Sequence, residues 1–452
     1  MTTNTIAAIA TAPGQAGIAI IRLSGSEAKN ILKKTFRPKN RKCAYLPNKM
    51  YFGEVFDGEE FIDQALAVFF QSPRSYTGED TAEIQCHGGS VVAERILRTV
   101  LKNGAEMAEP GEFTKRAFMN GKLDLSQAEA IMDMIGALSE KSAKESAKNL
   151  KGSLKESVTN IQRELTDVIA QVEAGIEYPE EDLEEVISEE QIGVLAPMSM
   201  QLARLAESYQ NGKMLREGVK TAIAGRPNVG KSSLLNLILG EERAIVTKIE
   251  GTTRDILNEY FIYRQIPIML MDTAGIRETE DEVEKIGVER SMEAIDLADI
   301  VLFLIDGSRY LTMEDIEIFT MAFEKPHIIV LNKSDLSQCV TKEDVMNHFG
   351  EEPILVSCRT GEGKEELLEK LYSFAAVNDG EDPVLQRQRQ YEAVIKAKRS
   401  LDAAILQMQS GMDLDCASID LQAAWQALGE ISGSTLTEDI IDRIFEKFCL
   451  GK

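Results

Sequence analysis

The stretch GRPNVGKSS at residues 225–233 fits the phosphate-loop pattern GxxxxGKS. Gly225 and Gly230 permit backbone angles that other residues resist, so successive N–H groups can turn toward phosphate oxygens at the start of a helix. Lys231 is predicted to reach the β- and γ-phosphates, and the hydroxyl of Ser232 to bind Mg²⁺. The stretch therefore predicts a nucleotide-binding domain.

The sequence around this loop has the strand and helix that such a loop requires. Residues 219–224 form a short apolar run, which predicts a buried strand, and residues 233–239 are rich in apolar residues, which predicts the following helix. Four further motifs follow in the order of guanine-nucleotide-binding domains: GTTRD at 251–255, DTAG at 272–275, NKSD at 332–335 and SCR at 357–359. Together they predict a P-loop domain with a doubly wound sheet.

Two of these motifs come directly after apolar runs, so they are expected at the carboxyl ends of strands. There Asp272 can hold the Mg²⁺ shell through water. The carboxylate of Asp335 can accept hydrogen bonds from the ring N–H and the exocyclic amine of guanine, a pair of donors that adenine does not present. The domain is therefore predicted to bind GTP rather than ATP.

The residue that orients the attacking water is less clear from spacing. Many small GTPases place a Gln directly after the DTAG element, whereas this chain has Ile276 there, and an apolar side chain cannot perform that role. Four glutamates follow, and spacing does not choose among them: Glu278, Glu280, Glu282 and Glu284. Arg254 and Arg277 are near enough in sequence to be considered as arginine fingers.

Length and composition limit the class of protein. A chain of 452 residues is expected to form about two to four domains. No apolar run reaches the ~18 residues of a membrane span, and the first twenty residues lack the basic start of a signal peptide, so a cytoplasmic protein without a membrane contact is expected. Six scattered cysteines and three histidines argue against a disulfide framework or a metal-hydrolase site.

The net charge of −24 opposes broad binding of DNA or RNA, because such binding depends on Lys and Arg neutralising phosphates. Any contact with RNA must be local or shared with a partner. The basic run at 33–42 is interpreted as a solvated loop.

The first 120 residues have the character of an α+β domain that ends near Lys122. Strands are predicted at 18–23, 49–56 and 65–70, a helix at 90–102, and polar loops at 75–80 and 110–118.

The following residues are helical in pattern. Apolar residues recur at steps of three and four from Leu150 to Val172, which predicts one long amphipathic helix, and the acidic run at 180–185 predicts a solvated connection. A further helix is predicted at about 190–216, and helical spacing returns at 384–448. The simplest arrangement is a helical domain built from both sides, with the nucleotide-binding domain inserted into it. A separate C-terminal domain is the alternative.

Over nearly its entire length the chain resembles the bacterial MnmE (TrmE) family of tRNA-modification GTPases. The resemblance rests on the GTPase elements and on five further motifs: YTGED at 76–80, HGG at 87–89, PGEF at 110–113, KLDL at 122–125 and FCLGK at 448–452. It implies a tetrahydrofolate-binding and dimerisation domain at 1–120, a helical bundle domain at 121–216 and 377–452, and a Ras-like G domain at 217–376.

The family resemblance also implies partners and a reaction. It implies a homodimer that forms a heterotetramer with the FAD protein MnmG. This complex modifies C5 of the wobble uridine, position 34, of certain tRNAs, in a carboxymethylaminomethyl or aminomethyl type of modification. The one-carbon donor implied is 5-formyl-tetrahydrofolate or a related folate.

The resemblance assigns roles residue by residue. Folate contacts fall on Arg22, Glu79, Lys122 and Lys452. A K⁺ ion that replaces an arginine finger is held by Asn228, Thr247, Ile249 and Thr252, while Mg²⁺ is held by Ser232 and Thr253. The water-orienting glutamate is Glu284. The residues that contact GTP are Asn228, Val229, Gly230, Lys231, Ser232, Ser233, Thr247, Lys248, Ile249, Glu250, Gly251, Thr252, Thr253, Asp272, Thr273, Ala274, Gly275, Asn332, Lys333, Asp335, Ser357, Cys358 and Arg359.

The sequence departs from the family pattern at a few positions. Lys248 and Glu250 replace an acidic and a small residue around the K⁺ loop, and the cation of Lys248 could weaken K⁺ binding. Cys358 replaces a small Ala, with little expected loss, because its backbone N–H contacts guanine O6. Cys449 is left outside the catalytic set.

A second interpretation is a regulatory or ribosome-assembly GTPase switch without one-carbon chemistry. It predicts a basic RNA-binding appendage, for which the chain offers only the run at 33–42. It also gives the C-terminal Cys-x-Gly-Lys motif no purpose.

Overall fold

The computed structural model describes residues 4–40, 45–177, 183–240, 258–271, 293–375, 382–448 and 451, with the backbone alone at 183–188 and 258. The chain divides into two compact units. The first comprises residues 1–132, 149–200 and 393–452, and the second comprises residues 133–148 and 201–392.

The strands in chain order are β1 (Ile6–Ile9), β2 (Ala16–Ser24), β3 (Phe36–Pro38), β4 (Tyr51–Asp57), β5 (Glu60–Phe70), β6 (Thr81–Gly88), β7 (Glu106–Met107), β8 (Val219–Ala224), β9 (Asn258–Tyr263), β10 (Ile266–Met271), β11 (Ile300–Asp306), β12 (His327–Asn332) and β13 (Ile354–Val356). The helices with assigned bounds are α1 (Ala28–Thr35), α2 (Ser90–Lys102), α3 (Glu112–Met119), α4 (Leu125–Ile135), α5 (Glu140–Lys151), α6 (Ser153–Glu177), α7 (Leu183–Glu217), α8 (Lys231–Leu239), α9 (Met313–Ala322), α10 (Lys342–Phe349), α11 (Lys364–Phe374), α12 (Gln388–Gln409), α13 (Leu414–Ser432) and α14 (Glu438–Phe445).

The first unit contains a seven-stranded sheet of order β3-β4-β5-β6-β2-β1-β7. Its neighbours are antiparallel except for β1 and β7. Apolar residues of α1 and α2, such as Leu32 and Ile96, pack with Ile21 and Ile84 of the sheet in one core. The strands predicted at 18–23, 49–56 and 65–70 and the helix predicted at 90–102 are confirmed.

Two loop predictions in this region are wrong. Residues 112–118 of the predicted loop at 110–118 belong to α3, which begins after Gly111 in the left-handed region (φ 69°) and buries Phe113 and Ala117 four residues apart. The basic run at 33–42 is also predicted to be a loop, but its first six residues are not: α1 extends to Thr35, and β3 follows directly at Phe36–Pro38. Buried Thr35 and Phe36 fix the backbone there while Lys33 and Lys34 stay exposed.

The helical part of the first unit follows the predicted pattern with different boundaries. The stripe from Leu154 to Val172 is the buried face of α6, which packs against α13. Leu150, however, belongs to α5, because the chain turns at Gly152 with φ 102°. The helix predicted from about 190 begins at 183, so the end of the acidic run at 180–185 is helical. Acidic residues are favourable there, because the N-terminus of a helix carries partial positive charge.

The second unit contains a six-stranded sheet of order β13-β12-β11-β8-β10-β9, parallel except for the β9–β10 hairpin. Helices α8 and α11 pack on one face through residues such as Leu234 and Leu367. Helices α9 and α10 pack on the other face through Phe319 and Phe349. The predicted doubly wound sheet is therefore confirmed, and the loops after β8, β12 and β13 lie at the same edge.

None of the helices among the described residues is both long enough and apolar enough to cross a membrane.

Candidate functional site

The phosphate loop leaves β8 at Ala224 and enters α8 at Lys231. Gly225, Asn228 and Gly230 all have positive φ, at 148°, 61° and 107°. At Gly230 a Cβ atom would come within 2.3 Å of the Asn332 side chain, so only glycine fits. The Lys231 Nζ donates to the carbonyls of Gly225 and Arg226, at 2.5 and 3.1 Å.

The NKSD motif contacts the phosphate loop directly. Asn332 Nδ2 donates to the Val229 carbonyl at 2.8 Å, and Lys333 Nζ donates to the Asn228 carbonyl at 3.2 Å. Lys333 itself has φ 65°, which turns its side chain back across the loop. Two motifs more than 100 residues apart in sequence thus form one rigid site.

The side of the site that is predicted to recognise the base is held by the loop after β13. Ser357 is buried, and its hydroxyl donates to Asp335 Oδ1 at 2.7 Å, which orients the carboxylate and leaves the other oxygen without a protein partner among the described residues. The Cys358 N–H, predicted to contact guanine O6, donates to Asn332 Oδ1 at 3.3 Å. Burial raises the pKa of the Cys358 thiol to about 11, so it is neutral at physiological pH. Arg359 is exposed.

Sequence reasoning missed Asp306, the last residue of β11. Its carboxylate accepts hydrogen bonds from Lys333 Nζ at 2.6 Å and from the Ser308 side chain at 2.6 Å. Burial alone raises the pKa of Asp306, but the bonds from Lys333 and Ser308 hold it below its ordinary value. The signal was an acidic residue that ends a fully buried apolar strand.

The other predicted contacts around the nucleotide lie in part outside the described residues. Ser232 and Ser233 are in the first turn of α8, and both are exposed. Outside the described residues lie Thr247, Lys248, Ile249, Glu250, Gly251, Thr252, Thr253, Asp272, Thr273, Ala274, Gly275 and Glu284, and also Cys449 and Lys452.

In the first unit, the structure brings Arg22 and the YTGED loop together. Arg22 Nε donates to Glu83 Oε1 at 2.9 Å, and its guanidinium lies over the rings of Tyr76 and Phe113 at 5.5 and 5.8 Å from their centroids. The two terminal nitrogens of Arg22 have no hydrogen-bond partner among the described residues. A cavity of about 350 Å³ is lined by Tyr76 and Glu83, the partners of Arg22.

Glu79 is held by residues that the sequence motifs did not include. Its Oε2 accepts hydrogen bonds from Ser24 Oγ at 2.7 Å and from Arg116 Nη1 at 3.1 Å. Arg116 is buried and also donates to Asn4 and Glu112, so each of its nitrogens is bonded. The YTGED motif identifies Glu79, but Arg116 helps to orient its carboxylate. In the sequence, Arg116 is only a charged residue in a stretch that is predicted to be a loop.

The other two predicted folate residues are Lys122 and Lys452. Lys122 contacts the segment before the YTGED loop, and Gly451, the neighbour of Lys452, contacts β1. Lys122 Nζ donates to the Pro73 carbonyl at 3.1 Å, just before the YTGED loop. Gly451, next to Lys452, lies against β1: a Cβ atom there would come 2.4 Å from the Ile9 carbonyl. Ala8 in that strand pairs with Arg22.

Two family models match the chain. Residues 5–122 match the model described as GTP-binding protein TrmE N-terminus, and residues 125–449 match the MnmE helical domain. The tRNA modification GTPase MnmE of Clostridioides difficile (strain 630) is 42% identical over 455 residues and covers 99% of both chains. The protein of the same name from Thermoanaerobacter sp. (strain X514) is 44% identical over 461 residues and covers all of both chains.

A solved structure of the G domain of the T. maritima FeoB iron transporter is 28% identical and covers 35% of this chain and 98% of its own, but its TM-score of 0.28 is too low to bear on the fold. The full-length relatives and the two family models settle the family. The chain belongs to the MnmE family of tRNA modification GTPases.

Proposed function

We propose that the chain is a potassium-activated GTPase that acts with the flavoprotein MnmG on tRNA. In this proposal the complex modifies C5 of the wobble uridine at position 34, in the carboxymethylaminomethyl or aminomethyl manner, with a tetrahydrofolate one-carbon donor. The observation that carries the GTPase part is the direct bonding of the NKSD residues to the phosphate loop through Asn332 and Lys333. A base-recognition acid and a phosphate cradle thereby share one rigid site.

The proposed domain division follows the family. It places the folate-binding and dimerisation domain at 1–120, the helical domain at 121–216 and 377–452, and the G domain at 217–376. Matches of separate family models to residues 5–122 and 125–449 support the first boundary.

The K⁺ site is proposed on Asn228 with Thr247, Ile249 and Thr252. Asn228 fits this role, because its side chain is exposed and without a hydrogen-bond partner among the described residues, while Lys333 holds its carbonyl. An amide oxygen is a suitable ligand for a hard cation. When bound, K⁺ would supply the positive charge that an arginine finger supplies elsewhere.

The Mg²⁺ site is proposed on Ser232 and Thr253, with Asp272 behind its water shell. Ser232 fits, because it stands in the first turn of α8, directly after the Lys231 that is predicted to meet the same phosphates. When bound, Mg²⁺ would neutralise charge on the phosphate oxygens.

Glu284 is proposed to orient the attacking water. Glu284→Ala should lower GTP turnover about 100-fold and leave GTP affinity nearly unchanged, because the carboxylate acts on water rather than on nucleotide. Glu278→Ala, Glu280→Ala and Glu282→Ala are the matched controls. Unaltered turnover in Glu284→Ala would transfer the role to another residue.

The folate site is proposed at Arg22, Glu79, Lys122 and Lys452. Among the described residues, the terminal nitrogens of Arg22 and one oxygen of Glu79 have no hydrogen-bond partner. These nitrogens can bind a carboxylate or the formyl oxygen, and this oxygen can accept from pterin N–H groups. Removal of Gly451 and Lys452 should weaken binding of 5-formyl-tetrahydrofolate. Full binding by the shortened chain would remove Lys452 from the site.

A homodimer is proposed through the face of the first sheet that lies opposite its core. Ile18, Phe52 and Leu66 share this face by strand register and are 56%, 47% and 38% exposed. An apolar sheet face of this kind is typical of a protein interface. With a net charge of −24, tRNA is expected to be bound jointly with MnmG, in the cytoplasm.

Two experiments test the proposal. GTP turnover should be on the order of tenfold faster in KCl than in NaCl of equal concentration, and Asn228→Gly, which keeps the left-handed backbone, should lose this difference. Equal rates in both salts would contradict the K⁺ site. Nucleoside analysis of tRNA from cells without this protein should show an unmodified wobble uridine. An unchanged profile would favour a switch GTPase without one-carbon chemistry.

A further inference from the structure

The variable residue after Gly225, Arg226, is tied to a different element of the second unit. Its Nε donates to Asp315 Oδ1 at 2.7 Å. The Arg226 side chain is 17% exposed and that of Asp315 is fully buried. A buried carboxylate with this geometry is a fixed anchor, because it loses much stabilisation if its partner leaves.

Asp315 is itself held in the first turn of α9, where it is the third residue of the helix. Its second oxygen accepts from the backbone N–H and the hydroxyl of Thr312, at 2.9 and 3.0 Å, in a capping box at the start of α9. The same helix packs Phe319 against Phe303 of β11, with 5.2 Å between ring centroids. Arg226 is therefore attached to a rigid part of the fold.

The two halves of the phosphate loop are held differently. The second half is held by Asn332 at Val229 and by Lys333 at Asn228. The first half is held by Lys231, which donates to the carbonyls of Gly225 and Arg226, and by the Arg226–Asp315 pair. No other side-chain hydrogen bond reaches residues 225–227 within the described part of the chain.

Lys231 cannot keep this structural role when nucleotide binds, because its ammonium is the group that meets the β- and γ-phosphates. As it turns to the phosphates, its bonds to the two loop carbonyls weaken or are lost. The Arg226–Asp315 pair then remains as the side-chain anchor of the first half of the loop.

We infer that Arg226 and Asp315 are positioning residues that hold the first half of the phosphate loop against α9 in the nucleotide-bound state. Their effect on the reaction passes through the loop, including Asn228 two residues further on. The inference rests on the proposed function only in requiring that the chain binds a guanine nucleotide.

The test uses the full chain and the fluorescent nucleotide N-methylanthraniloyl-GDP. The double variant Arg226→Met with Asp315→Asn removes the ion pair without leaving a buried charge unpaired, and Asn can still accept from Thr312. It should melt within a few degrees of wild type, yet its Kd for the fluorescent GDP and its KM for GTP should rise about tenfold, mostly through faster release.

Arg226→Lys preserves the charge and should recover part of the affinity. The control is Arg264→Gln, which breaks the ion pair to Glu369 at the β9–β10 turn, at the opposite end of the parallel strands from the phosphate loop. It should leave Kd and KM unchanged.

A double variant that melts like wild type and keeps wild-type Kd and KM would overturn the inference. A variant that only loses melting temperature would overturn it as well, since the pair would then be purely structural. Because binding of the fluorescent GDP needs no K⁺, folate or tRNA, this result is independent of whether the proposed K⁺ activation and tRNA chemistry are correct.

Discussion

The nucleotide site and the proposed folate site are built on different principles. In the nucleotide site, motif residues bind one another: Asn332 and Lys333 donate to the phosphate loop, and Ser357 orients Asp335. In the folate site, the motif residue Glu79 is oriented by Arg116, which none of the functional assignments included. The comparison shows that motif residues can orient one another, or can be oriented by residues elsewhere in the chain.

Two arginines at the proposed folate site, Arg116 and Arg22, also differ in this way. Arg116 bonds through every nitrogen to protein atoms and is buried, so it has no capacity left for a ligand. Arg22 bonds to Glu83 through Nε, and its terminal nitrogens have no hydrogen-bond partner in the described part of the chain, so they are open to the proposed ligand. Substitution should therefore separate structural from ligand-binding effects.

The largest expected effect is on stability, at Arg116. Arg116→Met leaves the largely buried carboxylates of Glu79 and Glu112 without their cation, and removing one partner of a buried pair costs about 3–5 kcal/mol. The free energy of local unfolding of β1 and β2, measured by hydrogen exchange, should fall by that amount. The control is Arg98→Met, whose ion pair with Glu94 is exposed and contributes at most about 0.5 kcal/mol. Equal losses in both variants would break the comparison.

The next effect is on specificity, at Asp335. Asp335→Asn replaces the carboxylate that is proposed to accept from two guanine N–H groups by an amide, which has one acceptor oxygen and one NH₂ donor, so KM for GTP should rise about 100-fold. Xanthosine triphosphate, which presents a carbonyl where guanine has its amine, should become the better substrate. Steady-state kinetics with both nucleotides measure this, with Asp382→Asn on the exposed surface as control. A variant that still prefers GTP would show that other groups of the site select the base.

The fold could be predicted from the sequence where local pattern and burial agree. The strand at 219–224 and the helix at 90–102 are found at their predicted bounds, because apolar spacing alone decides which side of each element faces the core. Where a stretch mixes polar and buried residues, the pattern misleads. Arg116 and Glu112 are charged, so the pattern assigns them to a loop. The reason that Arg116 is buried is a long-range contact: it donates to Asn4, over 100 positions away.

The same limit applies to the sites. The residues of the phosphate loop and of NKSD are recognisable, because each letter of the motif has a local chemical reason. Asp306, Asp315 and Ser24 are not, since each acts on a motif residue that is far away in sequence, and only the sheet topology brings them together.

A smaller effect is expected on folate affinity, at Arg22. Arg22→Met removes the terminal nitrogens that are proposed to bind the folate, so the Kd for 5-formyl-tetrahydrofolate should rise about tenfold. The stability loss should be smaller than in Arg116→Met, because Arg22 makes one hydrogen bond among the described residues, to Glu83. Arg22→Lys, which keeps a cation, should retain part of the affinity in isothermal titration. A wild-type Kd in Arg22→Met would assign Arg22 to the scaffold together with Arg116.

The smallest effect is expected from pH, at Asp306 in the nucleotide site. Burial raises the pKa of Asp306, but hydrogen bonds from Lys333 and Ser308 outweigh burial and hold this pKa below its ordinary value of 3.8. A carboxyl group whose folded-state pKa is depressed stabilises the fold fully above its unfolded pKa, and this stabilisation is lost as pH falls through the folded value. Asp306→Asn should therefore lower the stability of the second unit by about 1 kcal/mol at pH 7.

Urea unfolding followed by hydrogen exchange measures this difference between wild type and Asp306→Asn as a function of pH. The difference should shrink as pH falls below the ordinary pKa of 3.8, because the protonated carboxyl group of Asp306 and the amide of the variant are both neutral. A difference that stays constant down to the folded-state pKa and beyond would mean that Lys333 is held by shape rather than by the charge of Asp306. Lys333 would then be positioned by the surrounding fold, as Glu79 is positioned by Arg116 in the proposed folate site.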